Sequence, residues 1–131
     1  MLSDYANFFA VVAKGFRYGG VSYPYEQVLI DPALESTKGT ASFVKGIRGG
    51  KVTGTSQLLE SRISAIDLAA KPPTATVTAC MVDNLKAVDR KGKVIFSPPG
   101  KITRQDKLKL VKGRWMVYSL DTGDKSYGCT K

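Results

Sequence analysis

The chemistry available to this chain begins with two cysteines, Cys80 and Cys129, and with the complete absence of histidine. Two thiols cannot complete a zinc site without other ligands, and no imidazole is present to help them. The missing histidine also removes the commonest general base near neutral pH. The cysteines therefore either form a disulfide, which indicates an oxidising compartment, or remain two separate thiols of a cytosolic protein. No metal and no cofactor is predicted.

Asp83 is the carboxylate whose position suits catalysis best. It shares the strand phase of Ala79 and Met81, which would place it at the rim of a concave sheet face, where an acid or base could act. A phenol to accompany it could come from one of four tyrosines: Tyr18, Tyr23, Tyr25 and Tyr118. The alternative role for Asp83 is structural, because Asp and Asn suit the turn that ends a strand. The structural role is favoured over catalysis.

Basic residues are concentrated in the two C-terminal hairpins. The chain carries 20 Lys and Arg against 11 Asp and Glu, a net charge of +9, and such a charge favours anionic partners. The candidate polyanion-binding residues are Lys91, Lys93, Arg104, Lys107 and Lys109. Specific nucleic-acid binding is not expected, because aromatic residues do not interleave with the basic ones. An anionic membrane or cell-wall component requires only charge and proximity.

The elements that must position these residues begin with a helix. Aromatic and apolar residues recur at helical spacing from Tyr5 to Phe16, and Ser3 or Asp4 is placed to cap the helix. The repeated aromatic side chains indicate a face turned toward a core rather than a ligand site. The first helix is therefore expected to pack against the rest of the domain.

Two further helices and a set of strands are predicted after it. One short helix is expected around 25–30, and another is capped by Asp31 and runs toward Gly49–Gly50. In the second half of the chain the apolar period changes to two, as in half-buried strands. These segments predict a single α+β domain, residues 1–131, with N-terminal helices packed on a curved, mostly antiparallel C-terminal sheet.

Turn residues divide the predicted sheet into strands. Ile63 and Ala65 fall in one phase of a strand that the Pro72–Pro73 pair ends. Hairpin tips are predicted at Asp89–Gly92 and Lys112–Gly113. Cys80 alternates with Val77, Ala79 and Met81, so its side chain is expected on the opposite face of its strand.

The order of elements and three sequence runs resemble the nuclear-transport-factor-2-like superfamily. The runs are Ala79 to Asn84, Asp89 to Lys93 and Gly113 to Val117, and the resemblance extends over nearly the whole chain. More narrowly, the chain is similar to secreted or lipid-anchored actinobacterial domains of unknown function. In those, a strand cysteine followed three residues later by Asp is matched by a cysteine near the C-terminus. The resemblance implies a cone-shaped α+β fold with a Cys80–Cys129 disulfide.

The resemblance also implies what the domain does. The first expectation is a non-enzymatic, extracytoplasmic binding or assembly accessory domain, associated with the cell envelope or with a conjugation or secretion system. Its expected partner is an unknown protein or an anionic envelope component, with peripheral membrane association and a homodimer both compatible. The leader or anchor that would export it is expected to lie outside this chain. The alternatives are a ketosteroid-isomerase-like or polyketide-cyclase-like isomerase or hydro-lyase using Asp83 and Tyr118, and a polyanion or nucleic-acid binder using the hairpin lysines.

Overall fold

The computed structural model describes residues 1–16, 22–46, 51–53, 56–83, 86–89, 91–96 and 100–120. Of residues 43–46, 51–53, 56, 83, 87, 95–96 and 100 only the backbone is described. The helices are α1 (Leu2–Lys14) and α2 (Ala33–Gly46), with a 3-10 turn at Tyr25–Gln27 between them. The strands are β1 (Lys51–Thr53), β2 (Ser56–Asp67), β3 (Thr74–Asp83), β4 (Lys86–Val88), β5 (Val94–Phe96), β6 (Gly100–Val111) and β7 (Arg114–Ser119).

The strands form two antiparallel sheets. The larger sheet has the order β2-β3-β6-β7, and the smaller one has the order β1-β4-β5. Both helices contact β7, and α1 also contacts β2. The predicted α+β class, with helices packed against a largely C-terminal antiparallel sheet, is confirmed. Neither α1 nor α2 is long and apolar enough to cross a membrane.

Helix α1 turns its aromatic stripe toward the core, as predicted. Tyr5 and Phe8 are almost completely buried, and their ring centroids are 5.4 Å apart. The predicted cap at Ser3 or Asp4 is wrong, because the helix begins at Leu2 and the Tyr5 amide already donates to the Met1 carbonyl. Asp4 lies inside the first turn, where its carboxylate accepts a hydrogen bond from the Trp115 backbone N–H at 3.1 Å. That contact joins α1 to β7.

Helix α2 starts where the sequence predicts. The Oδ1 atom of Asp31 accepts a hydrogen bond from the Glu35 amide at 3.0 Å, so Asp31 satisfies one of the amides that the first helical turn leaves unpaired. Within the described chain the helix runs to Gly46, and the predicted stop at Gly49–Gly50 lies outside the described residues.

The helix predicted over 25–30 is largely replaced by an extended segment. Only Tyr25–Gln27 is helical, and Leu29 then forms a parallel bridge with Val117. The Ile30 amide donates to the Val117 carbonyl at 3.0 Å, and the Val117 amide donates to the Val28 carbonyl at 3.1 Å. Pairing with β7 satisfies the backbone of a buried segment more completely than a second helical turn would.

The core lies between the helices and one side of the larger sheet, which we call the inner face. It contains Val77, Ala79, Leu108 and Val117 of the sheet, each no more than 1% exposed. Tyr25 is fully buried against the same core and packs its ring against Phe16 and Tyr23. Burial raises the pKa of Tyr25 to about 12, and the neighbouring Tyr23 hydroxyl adds to the effect.

Strand β2 contains a bulge that the alternation of the sequence does not reveal. Ile63 lies opposite Val77, but Ala65 lies opposite Thr76, so one extra residue stands between them. The prediction that Ile63 and Ala65 share a face is therefore wrong. Because Ile66 lies opposite Ala75, it is Ile66 that shares the inner face with Ile63.

The two predicted hairpin tips form around residues that tolerate turn conformations. Asp89 accepts hydrogen bonds at its Oδ1 atom from the Lys91 and Lys93 amides, both at 2.9 Å. In the second tip Lys112 and Gly113 both have positive φ, 51° and 79°, which is the geometry of a tight two-residue turn. The turn ends β6 and starts β7 in the predicted place.

Candidate functional site

A buried polar cluster joins α1 to the centre of the sheet. It consists of Tyr5 from α1 with Arg104 and Asp106 from β6. Arg104, Asp106 and Leu108 are every second residue along β6, so all three project from the inner face. Tyr5, in the first turn of α1, reaches this face through Asp106. Polar side chains thus occupy part of a face that is otherwise apolar.

The cluster is closely bonded internally. The Tyr5 hydroxyl donates to Asp106 Oδ2 at 2.7 Å, and Arg104 Nη2 donates to Asp106 Oδ1 at 2.9 Å. The Nε atom of Arg104 lies 2.8 Å from Oδ2 and contributes through its charge rather than through an aligned hydrogen bond. Asp106 is 0% exposed, and the Arg104 side chain is 17% exposed.

This arrangement is suited to holding structure rather than to proton transfer. Both carboxylate oxygens of Asp106 are engaged by donors, and neither Asp106 nor Tyr5 is exposed to solvent. A general base must come within hydrogen-bonding reach of a substrate proton. Asp106 could do so only if α1 moved away from the sheet.

The opposite side of the larger sheet, which we call the outer face, is polar. Its centre is a chain of hydrogen bonds in which the Thr78 hydroxyl contacts Ser64 Oγ at 2.9 Å and accepts from Gln105 Nε2 at 3.1 Å. Three strands are joined by these side chains. Thr78 is 4% exposed, so this hydroxyl chain belongs to the structure of the sheet rather than to a free surface.

A shallow groove of about 250 Å³ lies at one end of the outer face. Asp67 and Thr74 line one side, and Lys107 and Tyr118 line the other. The Nζ atom of Lys109 lies 4.4 Å from the centre of the Tyr118 ring, a cation–π contact. The groove is smaller than most pockets for drug-sized ligands. Its size and its lysine suit a single side chain or a small anionic group.

The two predicted catalytic candidates lie at opposite ends of the larger sheet. Asp83 ends β3 opposite Gly100, and its side chain is outside the description. Tyr118 lines the groove beside Thr76, which is seven residues from Asp83, or about 23 Å along an extended strand. Among the other tyrosines considered, Tyr25 is buried in the core and Tyr18 lies outside the described residues.

The five predicted basic residues divide among three places. Lys91 and Lys93 are exposed at the tip between β4 and β5 in the smaller sheet. Lys107 and Lys109 project from the outer face of the larger sheet, in the phase opposite Leu108. Arg104 faces inward and is paired with Asp106. Of these five residues, Lys107 lines the groove, and Lys109 contacts the groove residue Tyr118.

Cys80 lies near the middle of β3, opposite Glu60 on one side and Thr103 on the other. It alternates with the core residues Ala79 and Met81, so it lies on the outer face, as predicted. Cys80 is nevertheless only 2% exposed, although the helices cover the other face. Cys129 lies outside the described residues, so the pairing of the two remains a prediction.

Sequence reasoning missed the buried cluster. Asp106 stands in the run Thr103-Arg104-Gln105-Asp106-Lys107, whose composition is that of a solvated strand. The available signal was its phase, because Asp106 is in the same strand phase as Leu108 and Leu110, on the apolar side of β6. Tyr5 was assigned to the core, but its polar partner could not be identified from helical spacing. In the described chain, no group of three or more acidic or cysteine side chains is arranged to hold a metal ion.

Comparison with known proteins gives a fold but no family. No protein-family model matches the chain, and no curated protein matches its sequence. One solved structure with a similar fold is the intermembrane space region of the chloroplast protein ARC6, with a TM-score of 0.63. The alignment covers 91% of this chain and 92% of that one, at 12% identity. At this identity the similarity shows the fold alone.

Proposed function

We propose that this chain is a non-enzymatic, extracytoplasmic binding or assembly module with a nuclear-transport-factor-2-like fold. The observation that carries the proposal is the closed inner face. Enzymes of the resembled superfamily use acid and base groups inside the cone, and in a fold of that kind the inner face would be the inside of the cone. Here α1 packs Tyr5 directly onto Asp106, and both are fully buried. A substrate would have to displace the helix to reach the carboxylate.

The outer face is the surface that we propose for binding. Lys107 is exposed there beside the groove, and the nearby Lys109 is held over the ring of Tyr118. A lysine packed against an aromatic ring keeps its charge while losing less freedom on binding than a fully mobile side chain. With a net charge of +9 for the whole chain, the surface favours an anionic component of the cell envelope.

The extracytoplasmic location rests on the proposed Cys80–Cys129 disulfide. Disulfides persist in oxidising compartments and are rare in the cytosol. The burial of Cys80 on the face opposite the helices is what a covalently attached covering segment would produce. The similar region of ARC6 is an intermembrane-space region, which is in keeping with a domain that works outside the cytosol.

Binding to anionic surfaces tests the proposal. We expect the protein to co-sediment with vesicles containing phosphatidylglycerol and not with neutral phosphatidylcholine vesicles. The double change Lys107→Glu and Lys109→Glu should weaken binding at least tenfold, because each reversal replaces an attraction with a repulsion. The matched control is Lys38→Glu with Lys14→Glu, which makes the same net change on the two helices.

Measuring binding to duplex DNA alongside binding to vesicles distinguishes this proposal from nucleic-acid binding. Equal binding to vesicles and to duplex DNA, both lost steeply with salt, would indicate a general polyanion binder. Binding to neither, or binding that the control pair weakens as much as the outer-face pair, would contradict the proposed surface. Turnover of a small ketone or hydroxylated aromatic substrate by the purified protein would contradict the non-enzymatic assignment.

A further inference from the structure

Among the described residues, one edge of the larger sheet is covered by another segment and the other edge is not. The outer edge of β7 is covered by residues 28–30, through the Leu29–Val117 bridge and the hydrogen bonds on either side of it. At the other edge, β2 pairs with β3 and with no other strand in the described chain. An uncovered strand edge presents unpaired backbone donors and acceptors to any extended segment.

The far half of β2 also exposes apolar side chains. Ile63 is 43% exposed, Ile66 is 50% exposed, and Leu68 just beyond the strand is 68% exposed. Ile63 and Ile66 lie on the inner face, opposite the core residues Val77 and Ala75. The core therefore continues to the edge of the sheet, where its last two side chains remain half-exposed. Their exposure would be reduced by a further strand at this edge.

The order of residues along this half of β2 is complementary to itself. Arg62 lies opposite Thr78 and Asp67 lies opposite Thr74, so both project from the outer face. Arg62, Ile63, Ile66 and Asp67 are thus arranged symmetrically about the bulge at 64–65, with basic and acidic ends and an apolar middle. Without the bulge, Ile63 and Ile66 would project from opposite faces.

We propose that β2 pairs antiparallel with β2 of a second copy of this chain, about a twofold axis between Ser64 and Ala65. In this register Ile63 of each copy lies opposite Ile66 of the other, and Arg62 of each lies opposite Asp67 of the other. Directly opposed residues of an antiparallel pair share a face. The isoleucines therefore meet on the inner face and the ion pairs form on the outer face. The two larger sheets become one continuous sheet.

This register is specific because the two alternative registers that pair like isoleucines do not place isoleucine opposite isoleucine at both positions. Placing Ile63 opposite Ile63 puts Ile66 against Glu60, and placing Ile66 opposite Ile66 puts Ile63 against Ala69. Charged residues on edge strands normally oppose pairing with unrelated strands. Here the opposite charges at equal distances from the axis oppose other partners and favour an identical one. The inference does not rest on the proposed anionic ligand, although Asp67 also lines the groove beside Lys107.

Self-association of the unmodified chain is the first measurement. We expect sedimentation equilibrium to show a reversible monomer–dimer equilibrium with a dissociation constant in the micromolar range, on the order of 10 µM, because a single strand pair is a small interface. Ile63→Ser and Ile66→Ser should each weaken the dimer at least tenfold. A chain that stays monomeric to about 1 mM would overturn the proposal.

Charge reversal tests the register itself. Arg62→Glu places two like-charge pairs across the axis, and Asp67→Lys does the same, so we expect each variant alone to be monomeric at about 100 µM. When the two variants are mixed, both cross-axis pairs become opposite in charge, and we expect a heterodimer to form. A dimer restored only by mixing cannot be explained by misfolding of either variant.

The control is Lys91→Glu, an exposed charge reversal at the hairpin tip of the smaller sheet. It should leave the dimer unchanged within about twofold. A dimer that persists in all β2 variants, or that is lost equally in the control, would place the interface elsewhere. A mixture that stays monomeric would contradict this register and with it the proposal. These results are obtained without any ligand, so they stand apart from the vesicle experiment.

Discussion

At the scale of single residues, Asp106 is the charge on which the buried polar contacts converge. Removing a carboxylate from water costs several kcal/mol, of order 5, and the cost is recovered only when partners with good geometry engage it. Arg104 and Tyr5 supply such partners from two different elements. The cluster therefore fixes how α1 sits on β6.

The first prediction concerns this cluster. Asp106→Ala leaves the guanidinium of Arg104 without its main partner in a largely buried site, and we expect a loss of about 3–5 kcal/mol in the free energy of unfolding. Tyr5→Phe removes one hydrogen bond and should cost about 1–2 kcal/mol. Urea denaturation measures both.

The exposed carboxylate of Glu26 is the control, and Glu26→Ala should change the free energy of unfolding by no more than about 0.5 kcal/mol. Losses below 1 kcal/mol for Asp106→Ala would show that the cluster stabilises little.

The second prediction concerns Tyr25. Burial raises the pKa of Tyr25 to about 12 in the folded protein, above the usual value of 10.0. The neutral phenol therefore stabilises the fold fully below pH 10, and this contribution is lost as pH rises from 10 toward 12. We expect a decrease of up to about 2 kcal/mol over that range.

Tyr25→Phe provides the control for this pH dependence, because a phenylalanine cannot ionise. Between pH 10 and 12 the free energy of unfolding should fall less steeply in the Tyr25→Phe protein than in the original protein. Absorbance at high pH should also show one phenol that ionises later than the others. Identical slopes in the two proteins between pH 10 and 12 would exclude Tyr25 as the source.

Residue roles are the part that the sequence reveals least. Asp4 was expected to cap α1 and instead accepts the Trp115 amide from a strand 111 positions away. The burial of Asp106 was not predicted, because its neighbours in the sequence are polar and charged, although Asp106 shares the strand phase of Leu108. A side chain's polar partner depends on which elements meet in three dimensions, and the periodicity of one segment does not contain that information.

At the scale of elements, the close approach between the end of α1 and the 3-10 turn requires glycine. A β-carbon on Gly15 would lie 2.7 Å from the hydroxyl oxygen of Tyr25 and 2.8 Å from Cζ. Tyr25 is fully buried, so its ring has little room to move away. The helix can therefore reach the 3-10 turn only with hydrogen at that position.

The third prediction compares two glycines. Gly15→Ala should destabilise the protein by about 1–3 kcal/mol, because it overpacks the site beside Tyr25. Gly39→Ala, inside α2, meets no atom within 4 Å. Since alanine is the better helix former, this change should stabilise the protein by about 0.5–1 kcal/mol. Thermal unfolding measures both changes, and equal effects at the two sites would contradict the role of the Gly15 contact.

Most elements were predictable because their signals are local. The proline pair and the two hairpin tips indicated the start of β3 and the turns between β4 and β5 and between β6 and β7, close to their observed positions. The bulge in β2 was not predictable, because an extra residue disrupts alternation in the same way that a polar substitution does. The helix prediction for residues 28–30 was wrong for a different reason. This segment pairs with β7, although its local sequence pattern is helical.

At the scale of the whole molecule, the proposed disulfide is the longest-range covalent constraint. A bridge between Cys80 and Cys129 closes a loop of about 50 residues and would stabilise the fold by roughly 3–4 kcal/mol in the chain-entropy model. The fourth prediction is that the unreduced protein, denatured, yields no reactive thiol. Reduction should then lower the unfolding midpoint, and Cys80→Ser with Cys129→Ser should reproduce that loss. Two reactive thiols before reduction would contradict the bridge.

The difference between the two margins of the larger sheet limits how far copies of this protein can assemble. Growth of a sheet into a filament requires every molecule to offer two free edge strands, so that it can pair with one neighbour at each edge. Residues 28–30 already occupy the position beside β7, so the larger sheet, as far as the structure describes it, offers one. Once β2 is engaged, no further strand can be added in this direction, and association stops at a closed pair.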